Sequence, residues 1–167
     1  PFVAYLSRSS GFLYAPHMKE QLERIVPLVD VVHAHLPFIY PTYAASKAAF
    51  RHRKPFFYNQ RGVFDLKRLQ FRSAKKKLYI SLLEKPILQR ATTLVALTEA
   101  EVNSYRALGI QTRIHVIPNG IDSTAYRTEP VSDTDVRWNI PSGSPVILFL
   151  GRLHPIKGAD KLLEAFL

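Results

Sequence analysis

The feature that most constrains the fold of this chain is a regular alternation of strand-like and helix-like segments joined by short connections. Short apolar or β-branched runs, which are typical of strands, occur at residues 2–6, 30–35, 55–59, 92–97 and 113–117. Segments with helical spacing of apolar residues cover 17–29, 41–53, 66–90 and 98–108. Pro27 and Pro86 are expected to end or kink two of these helices. The alternation predicts an α/β fold with a doubly wound parallel sheet.

A second unit of the same kind is predicted after a polar segment. Residues 123–144 are rich in Ser, Thr, Asp and Pro, which is typical of a linker. The unbroken apolar run 146–150 predicts a buried parallel strand, and a helical pattern follows it. We therefore expect a first domain over 1–122, a linker over 123–144 and the start of a second domain over 145–167. Residue 1 is not Met and residue 167 lies inside a helical pattern, so we expect a piece of a longer protein.

The loop that follows the run 146–150 has the residue types of an anion site. The run stops at Gly151, where the absence of a Cβ lets a ligand approach the backbone. Arg152 follows at once, and Lys157 lies just before Gly158 and the next helix. A guanidinium, an ammonium and a helix N-terminus together suit a diphosphate. An ordinary strand-to-helix loop with two solvated cations is the alternative.

The charge of the chain favours anionic partners without choosing among them. The net charge is +10, which suits nucleic acid, phosphorylated substrates or acidic lipid headgroups. A basic run is concentrated in Lys67, Arg68, Arg72, Lys75, Lys76 and Lys77. We interpret this run as the solvated face of a helix, with an anionic membrane surface and nucleic acid as alternative partners. The chain has no cysteine, which excludes a disulfide framework and a thiolate metal site and is compatible with a reducing cytoplasm.

Two further patterns resemble metal motifs but do not predict a metal site. His33 and His35 are two apart on a predicted strand and share a face, yet no third ligand follows at a suitable spacing. His35 is expected to line a cleft at the strand end, whereas His33 is either part of that cleft or buried. Asp133-Thr-Asp135 lies in the predicted linker and is interpreted as a solvated turn.

Five motifs in sequence order resemble those of the GT-B glycosyltransferases of family 4. They are Asp30-Val-Val-His-Ala-His35, Asn59-Gln-Arg-Gly62, Leu97-Thr-Glu-Ala-Glu101, Val116-Ile-Pro-Asn-Gly-Ile-Asp122 and Phe149-Leu-Gly-Arg-Leu-His-Pro-Ile-Lys-Gly158. The resemblance runs from about residue 11 to the end. It implies two Rossmann-like domains facing a cleft, the first being part of the acceptor-side domain and the second the start of the donor-binding domain. Within the third motif, Thr98 and Glu101 also predict a capping box at a helix start.

This resemblance implies a function and a set of site residues. It implies transfer of a sugar from a nucleotide-diphosphate sugar to a glycan or lipid-linked acceptor, with retention of configuration, in polysaccharide or glycoconjugate biosynthesis. No metal or other cofactor is expected. By similarity, Arg152 and Lys157 are catalytic because they neutralise the leaving diphosphate, and Gly151 completes the donor site. The cleft or acceptor residues implied are His35, Arg61, Gly62, Asn119 and Gly120.

One position departs from the family pattern. Many members have a histidine near residue 61, where this chain has Arg61. Because a guanidinium cannot act as a general base, Arg61 is expected to bind a phosphate or sugar hydroxyls, or else to pair with a nearby acid.

The sequence also leads to expectations about where the protein is located, whether this chain is active alone and which other functions compete. The resemblance suits a cytoplasmic protein, either free or at the inner membrane surface. The chain lacks the glycine-rich loop and the Glu-x7-Glu segment of the family, so it is expected to be inactive alone. A basic nucleic-acid-binding module is the alternative function, motivated by charge only. A dinucleotide enzyme is disfavoured because no Gly-x-Gly-x-x-Gly follows a predicted strand.

Overall fold

The computed structural model of the chain describes residues 12–62, 78–126, 140–141 and 143–166. The chain divides into two compact units, Pro1–Gly120 and Ile121–Leu167. Three sequence predictions lie outside the described residues: the strand at 2–6, the basic run at 67–77 and the Asp133-Thr-Asp135 turn.

The first unit is built on a four-stranded parallel sheet. Its strands are β1 (Val32–His35), β2 (Phe56–Asn59), β3 (Thr93–Ala96) and β4 (Ile114–Val116). They pair in the order β1-β2-β3-β4, and every pair is parallel. The sheet and its flanking helices confirm the predicted α/β, Rossmann-like architecture. Each strand is one or two residues shorter than its sequence pattern at one or both ends.

Helices precede β1 and connect the strands that follow. They are α1 (Met18–Ile25), which continues as a 3-10 turn (Val26–Leu28), α2 (Tyr40–Arg51), a π-helical turn (Ile80–Glu84), α3 (Lys85–Arg90) and α4 (Glu99–Ala107). Pro27 lies in the first turn of the 3-10 segment, and the α-helix ends at Ile25, as Pro27 was expected to cause. Pro86 follows the π-helical turn, in which the Lys85 N–H reaches back to the carbonyl of Ile80. The wider turn accommodates a proline that cannot donate a helical hydrogen bond.

The core of the first unit lies around the two central strands. All four residues of β3 are buried, as are Phe56 and Tyr58 of β2. Helix α2 brings small residues to the sheet, and Ala48 and Ala49 are fully covered there. Continuous burial of central strands is expected where helices cover a parallel sheet.

In the second unit, the predicted buried strand at 146–150 is wrong. These residues are not part of any strand, and the side chains of Leu148 and Leu150 are 80% and 90% exposed. A parallel strand obtains both its hydrogen bonds and its burial from neighbouring strands, and the described part of this unit contains none.

The regular elements in the described part of the second unit are helical. It contains two 3-10 turns (Ser123–Tyr126 and Pro155–Lys157) and the helix α5 (Ala159–Phe166). The helix predicted after Gly158 is therefore confirmed. In neither unit do the described residues include a helix long and apolar enough to cross a membrane.

Candidate active site

Polar residues converge where the strands of the first unit end. His35, the last residue of β1, is in register with Asn59, the last residue of β2. Asn59 is in turn in register with Val95 of β3, and Ala96 is in register with Val116 of β4. The segments that follow these strands therefore leave the sheet at one edge, the carboxyl edge, where open α/β sheets bind their ligands.

Arg61 joins three of these strand ends. Its guanidinium donates to Oδ1 of Asn119 at 2.7 Å and lies 3.4 Å from Nδ1 of His35. Its own backbone N–H donates to Oδ1 of Asn59 at 3.0 Å. Three residues predicted from the sequence, His35, Arg61 and Asn119, thus meet through the contacts of Arg61 with the other two, although they are up to 84 positions apart in the chain. We call them the edge cluster. The alternative in which Arg61 pairs with an acid does not occur among the described residues.

The backbone around the edge cluster is in an uncommon conformation. Leu36 and Phe38, after β1, have φ of 68° and 64°, and Arg61 has φ of 54°. Such left-handed conformations cost energy in residues with a Cβ, and they persist where surrounding contacts enforce them. The N–H of Leu36 donates to the carbonyl of Asn59 at 3.0 Å, which connects the loop after β1 to the end of β2. Strain of this kind is common at ligand sites.

Gly62 continues the left-handed backbone and packs against a helix cap. Its φ is 75°, and a Cβ there would lie 3.4 Å from Oε1 of Glu101. Thr98 and Glu101 form the predicted capping interaction, since the Thr98 hydroxyl accepts from the Glu101 N–H at 3.4 Å. The Glu101 carboxylate accepts from the N–H of Leu97 at 2.7 Å instead of from Thr98. The cap thereby holds the ends of β3 and α4 beside the edge cluster.

His33 and His35 lie side by side on β1. Their ring centroids are 4.3 Å apart, and both side chains are exposed, which excludes the buried role considered for His33. Partial desolvation of the ring, and then the charge of Arg61, lower the pKa of His33 below 6.5. The pKa of His35 is lowered by desolvation first, then by His33 and Arg61. Both imidazoles are therefore neutral at pH 7. The described residues contain no group of three or more potential metal ligands.

Glu84 is a buried acid that the sequence did not point to. Its carboxylate accepts from the N–H of Phe38 at 2.7 Å and from the hydroxyl of Tyr58 at 3.0 Å. Burial raises the pKa of Glu84, while these two hydrogen bonds act in the opposite direction. Glu84 therefore connects the π-helical turn to the strained loop after β1. Pro86 was the one nearby sequence feature that we used. It predicted an interruption of the helix, but it did not indicate that Glu84 is buried and hydrogen-bonded.

The predicted donor residues lie in the second unit. A Cβ on Gly151 would be 3.6 Å from the Phe149 ring and 4.0 Å from Cδ of Lys157, so Lys157 folds back towards Gly151. The N–H of Lys157 donates to the carbonyl of His154 at 2.8 Å, which closes the 3-10 turn before α5. Arg152 and Lys157 are both exposed. Gly120, the last predicted cleft residue, ends the first unit, and a Cβ there would meet no described atom within 4 Å.

Comparisons with known proteins identify similar chains. Residues 1–125 match the model of the family described as Glycosyltransferase Family 4. A D-inositol 3-phosphate glycosyltransferase of Nocardioides sp. is 35% identical over 49% of this chain and 18% of its own length. The protein of the same name from Jonesia denitrificans is 27% identical over 81% of this chain and 34% of its own. A lipopolysaccharide 1,2-N-acetylglucosaminetransferase of Salmonella typhimurium is 34% identical over 32% of this chain and 14% of its own. The chain thus spans between 14% and 34% of the length of these relatives.

Proposed function

The chain belongs to glycosyltransferase family 4, and from that premise we propose that the full-length protein transfers a sugar from a nucleotide-diphosphate donor to an acceptor hydroxyl. The acceptor is a glycan or a lipid-linked molecule, and the product serves polysaccharide or glycoconjugate synthesis. The relatives act, by their names, on D-inositol 3-phosphate and on lipopolysaccharide. Both names are compatible with an acceptor that presents hydroxyl and phosphate groups.

The observation that carries this proposal is the edge cluster. A guanidinium held by Asn119 and His35 at the carboxyl edge presents fixed donors where ligands of α/β sheets bind. His33 and His35 are neutral at pH 7, so each ring has one donor and one acceptor, and His35 keeps its donor for a sugar because its acceptor nitrogen faces Arg61. The cluster can therefore orient hydroxyls and bind a phosphate, which is the acceptor role proposed for His35, Arg61, Gly62, Asn119 and Gly120.

The donor role is assigned to Gly151, Arg152 and Lys157. When the bond between the sugar and the diphosphate breaks, negative charge builds up on the leaving group. A forked guanidinium and a mobile ammonium stabilise that charge through complementary contacts. The proximity of Lys157 to Gly151 supports this assignment, because it brings the ammonium stem beside the residue that leaves room for the ligand. We propose that these two cations take the part that a metal ion plays in other transferases, and that the reaction retains configuration.

The donor assignment is tested by kinetics of the full-length protein with Arg152→Ala and Lys157→Ala. We expect each substitution to lower kcat by roughly 10² to 10³, since each removes one preorganised contact to the developing charge. Arg152→Lys should recover only part of the rate because a single ammonium cannot replace the fork. Lys161→Ala, on the exposed surface of α5, is the matched control. Equal rates for Arg152→Ala and Lys161→Ala would contradict the assignment.

The acceptor assignment requires a separate measurement. Arg61→Gln should raise the KM for the acceptor about tenfold or more, because a charged hydrogen-bond donor is lost, while the KM for the donor stays unchanged. A rise in the KM for the donor alone would show that Arg61 binds the donor and not the acceptor.

The alternative function, a basic nucleic-acid-binding module, has only the net charge of +10 in its favour. Its basic run at 67–77 lies outside the described residues. Binding of DNA or RNA that weakens steeply with salt, without sugar transfer by the full-length protein, would favour this alternative. Location in the cytoplasm or at the inner membrane surface remains part of the proposal.

A further inference from the structure

A concave site lies on the helical side of the first unit. It is a depression of about 290 Å³, close to the lower end of the range for small-molecule pockets. Helices α1 and α2 form its walls, and it is lined by Lys19, Glu23, Tyr40, Tyr43, Ala44, Lys47 and Arg51. We call it the α1–α2 groove. None of its lining residues belongs to the edge cluster, so it is a different site.

The charges in the α1–α2 groove do not balance. Its acid, Glu23, is already engaged twice, accepting from Arg51 at 2.6 Å and lying 2.8 Å from Nε2 of His52. Lys19 forms no ion pair or hydrogen bond with another described residue. Lys47 has its ammonium 5.6 Å from the centroid of the Tyr43 ring and is not paired with an acid among the described residues. Two ammonium groups on facing helices are therefore left for an anion.

The aromatic residues of the groove add neutral hydrogen-bond donors. The Tyr40 ring is fixed by edge contacts with Phe12 and Tyr14, at centroid distances of 5.9 Å and 4.8 Å. Burial, and then the neighbouring Tyr14 and Tyr43, raise the pKa of Tyr40 above 10. Its hydroxyl therefore stays protonated at physiological pH and can donate to an anionic oxygen.

From this arrangement we propose that the α1–α2 groove binds a phosphate-bearing ligand, through Lys19 and Lys47 from opposite walls and the hydroxyls of Tyr40 and Tyr43. A phosphate group accepts several charged hydrogen bonds at once, which matches two ammonium groups and two phenols around one depression. Glu23 also lines the groove, and its ion pair with Arg51 offsets the negative charge that it would present to the bound anion. The phosphate belongs either to a small phosphate ester or to a lipid headgroup, since both present the same chemistry.

The test uses the full-length protein and two probes. Binding of glycerol 3-phosphate is measured by isothermal titration calorimetry, and binding to phosphatidylglycerol vesicles is measured by co-sedimentation, with phosphatidylcholine vesicles as the neutral reference. Lys19→Gln and Lys47→Gln each remove one charge and are expected to weaken binding about tenfold. Arg113→Gln removes one charge from an exposed residue beside β4, at the other end of the sheet, and is the matched control.

The outcomes separate the two sources and the two sites. Binding of glycerol 3-phosphate that is weakened by both lysine variants supports a small phosphate ester as the ligand. Selective binding to phosphatidylglycerol vesicles, weakened in the same way, supports a lipid headgroup. In either case the weakening by Lys19→Gln and Lys47→Gln should persist when Arg61→Gln is also present, because that substitution removes the share of phosphate binding that belongs to the proposed acceptor site. No binding of either probe, or equal weakening by Arg113→Gln, would overturn the proposal.

Discussion

At Arg61 the backbone and the side chain are fixed by different partners. The backbone is held in a left-handed turn by the Asn59 side chain and is followed by Gly62, while the guanidinium is held by Asn119 and faces His35. Because a guanidinium can only donate, Nδ1 of His35 must be the acceptor in this contact, which leaves the imidazole proton on Nε2. The orientation of one arginine thus determines which hydrogen-bonding face His35 offers to a substrate.

The contact with Arg61 predicts the titration of His35. We expect the pKa of His35, measured by NMR titration of the imidazole, to lie below 6.5. Arg61→Gln should raise this pKa, since it removes a neighbouring positive charge, but not fully to 6.5, because desolvation is the larger cause. Arg113→Gln should leave it unchanged. A pKa of His35 that is insensitive to Arg61→Gln would show that the two groups do not interact in solution.

The lowered pKa values of His33 and His35 also predict the direction in which stability changes with pH. Below pH 6.5 the two imidazoles bind more protons in the unfolded chain than in the folded chain. The free energy of unfolding therefore falls as pH drops from about 7 towards 5. The double variant His33→Asn/His35→Asn should flatten this part of the profile, measured by chemical denaturation at a series of pH values. An unchanged slope would assign the pH dependence to other groups.

At the scale of elements, the π-helical turn positions the loop that follows β1. Glu84 in this turn accepts from the N–H of Phe38, a residue with φ of 64°, and from the hydroxyl of Tyr58 on β2. An acid that is only 2% exposed is costly to bury, and both contacts offset that cost. The turn thereby holds the strained loop beside the edge cluster in a fixed position relative to the core strand β2.

Removing this acid should destabilise the fold in proportion to the hydrogen bonds lost. Glu84→Ala leaves the Phe38 N–H and the Tyr58 hydroxyl unpaired, so we expect a loss of about 2–4 kcal/mol. Glu84→Gln keeps an acceptor for Phe38 and should lose about 1 kcal/mol. Thermal or chemical denaturation of the full-length protein measures both. Equal losses for the two variants would mean that the charge of the carboxylate matters and the hydrogen bond that Gln keeps with Phe38 does not.

The cap of α4 provides an independent test at the same scale. Thr98→Ala removes the hydroxyl that accepts from the Glu101 N–H and should lower the free energy of unfolding by about 1 kcal/mol. Thr98→Ser keeps the hydroxyl and serves as the control, with a much smaller loss expected. Denaturation midpoints of the two variants distinguish the loss of the cap from a general effect of substitution.

The elements differ in how far the sequence could predict them. The strand positions, to within one or two residues at the ends, the Thr98 cap and the break at Pro27 depend on residues close in the chain, and local patterns predicted them. The meeting of His35, Arg61 and Asn119 followed from parallel strand order, because their strands all end at one edge. Glu84 could not be predicted, since its partners, Phe38 and Tyr58, are 46 and 26 positions away. The strand at 146–150 failed because its hydrophobicity says nothing about whether neighbouring strands are present to pair with it.

For the whole molecule, the excess of positive charge has two separate uses in our proposals. The first use is catalytic, because Arg152 and Lys157 are proposed to stabilise the leaving diphosphate. The other is a binding use, in which Lys19 and Lys47 in the α1–α2 groove hold a phosphate that does not react. Under the proposed function, the net charge of +10 on this chain is also expected to raise the rate of encounter with an anionic donor, and this contribution decreases with ionic strength.

The use of cations in place of a metal predicts the response of the full-length protein to chelation. If Arg152 and Lys157 neutralise the diphosphate, removal of divalent ions with EDTA should leave kcat unchanged, because no charge in the transition state depends on a metal. Arg152→Ala should behave differently, since added Mg²⁺ that binds the diphosphate can replace part of the missing charge and raise its residual rate. The measurement is the rate of sugar transfer with EDTA and with Mg²⁺, for the unmodified protein, Arg152→Ala and the control Lys161→Ala. Loss of activity in EDTA that Mg²⁺ restores in the unmodified protein would show that a metal, and not this pair of side chains, stabilises the leaving group.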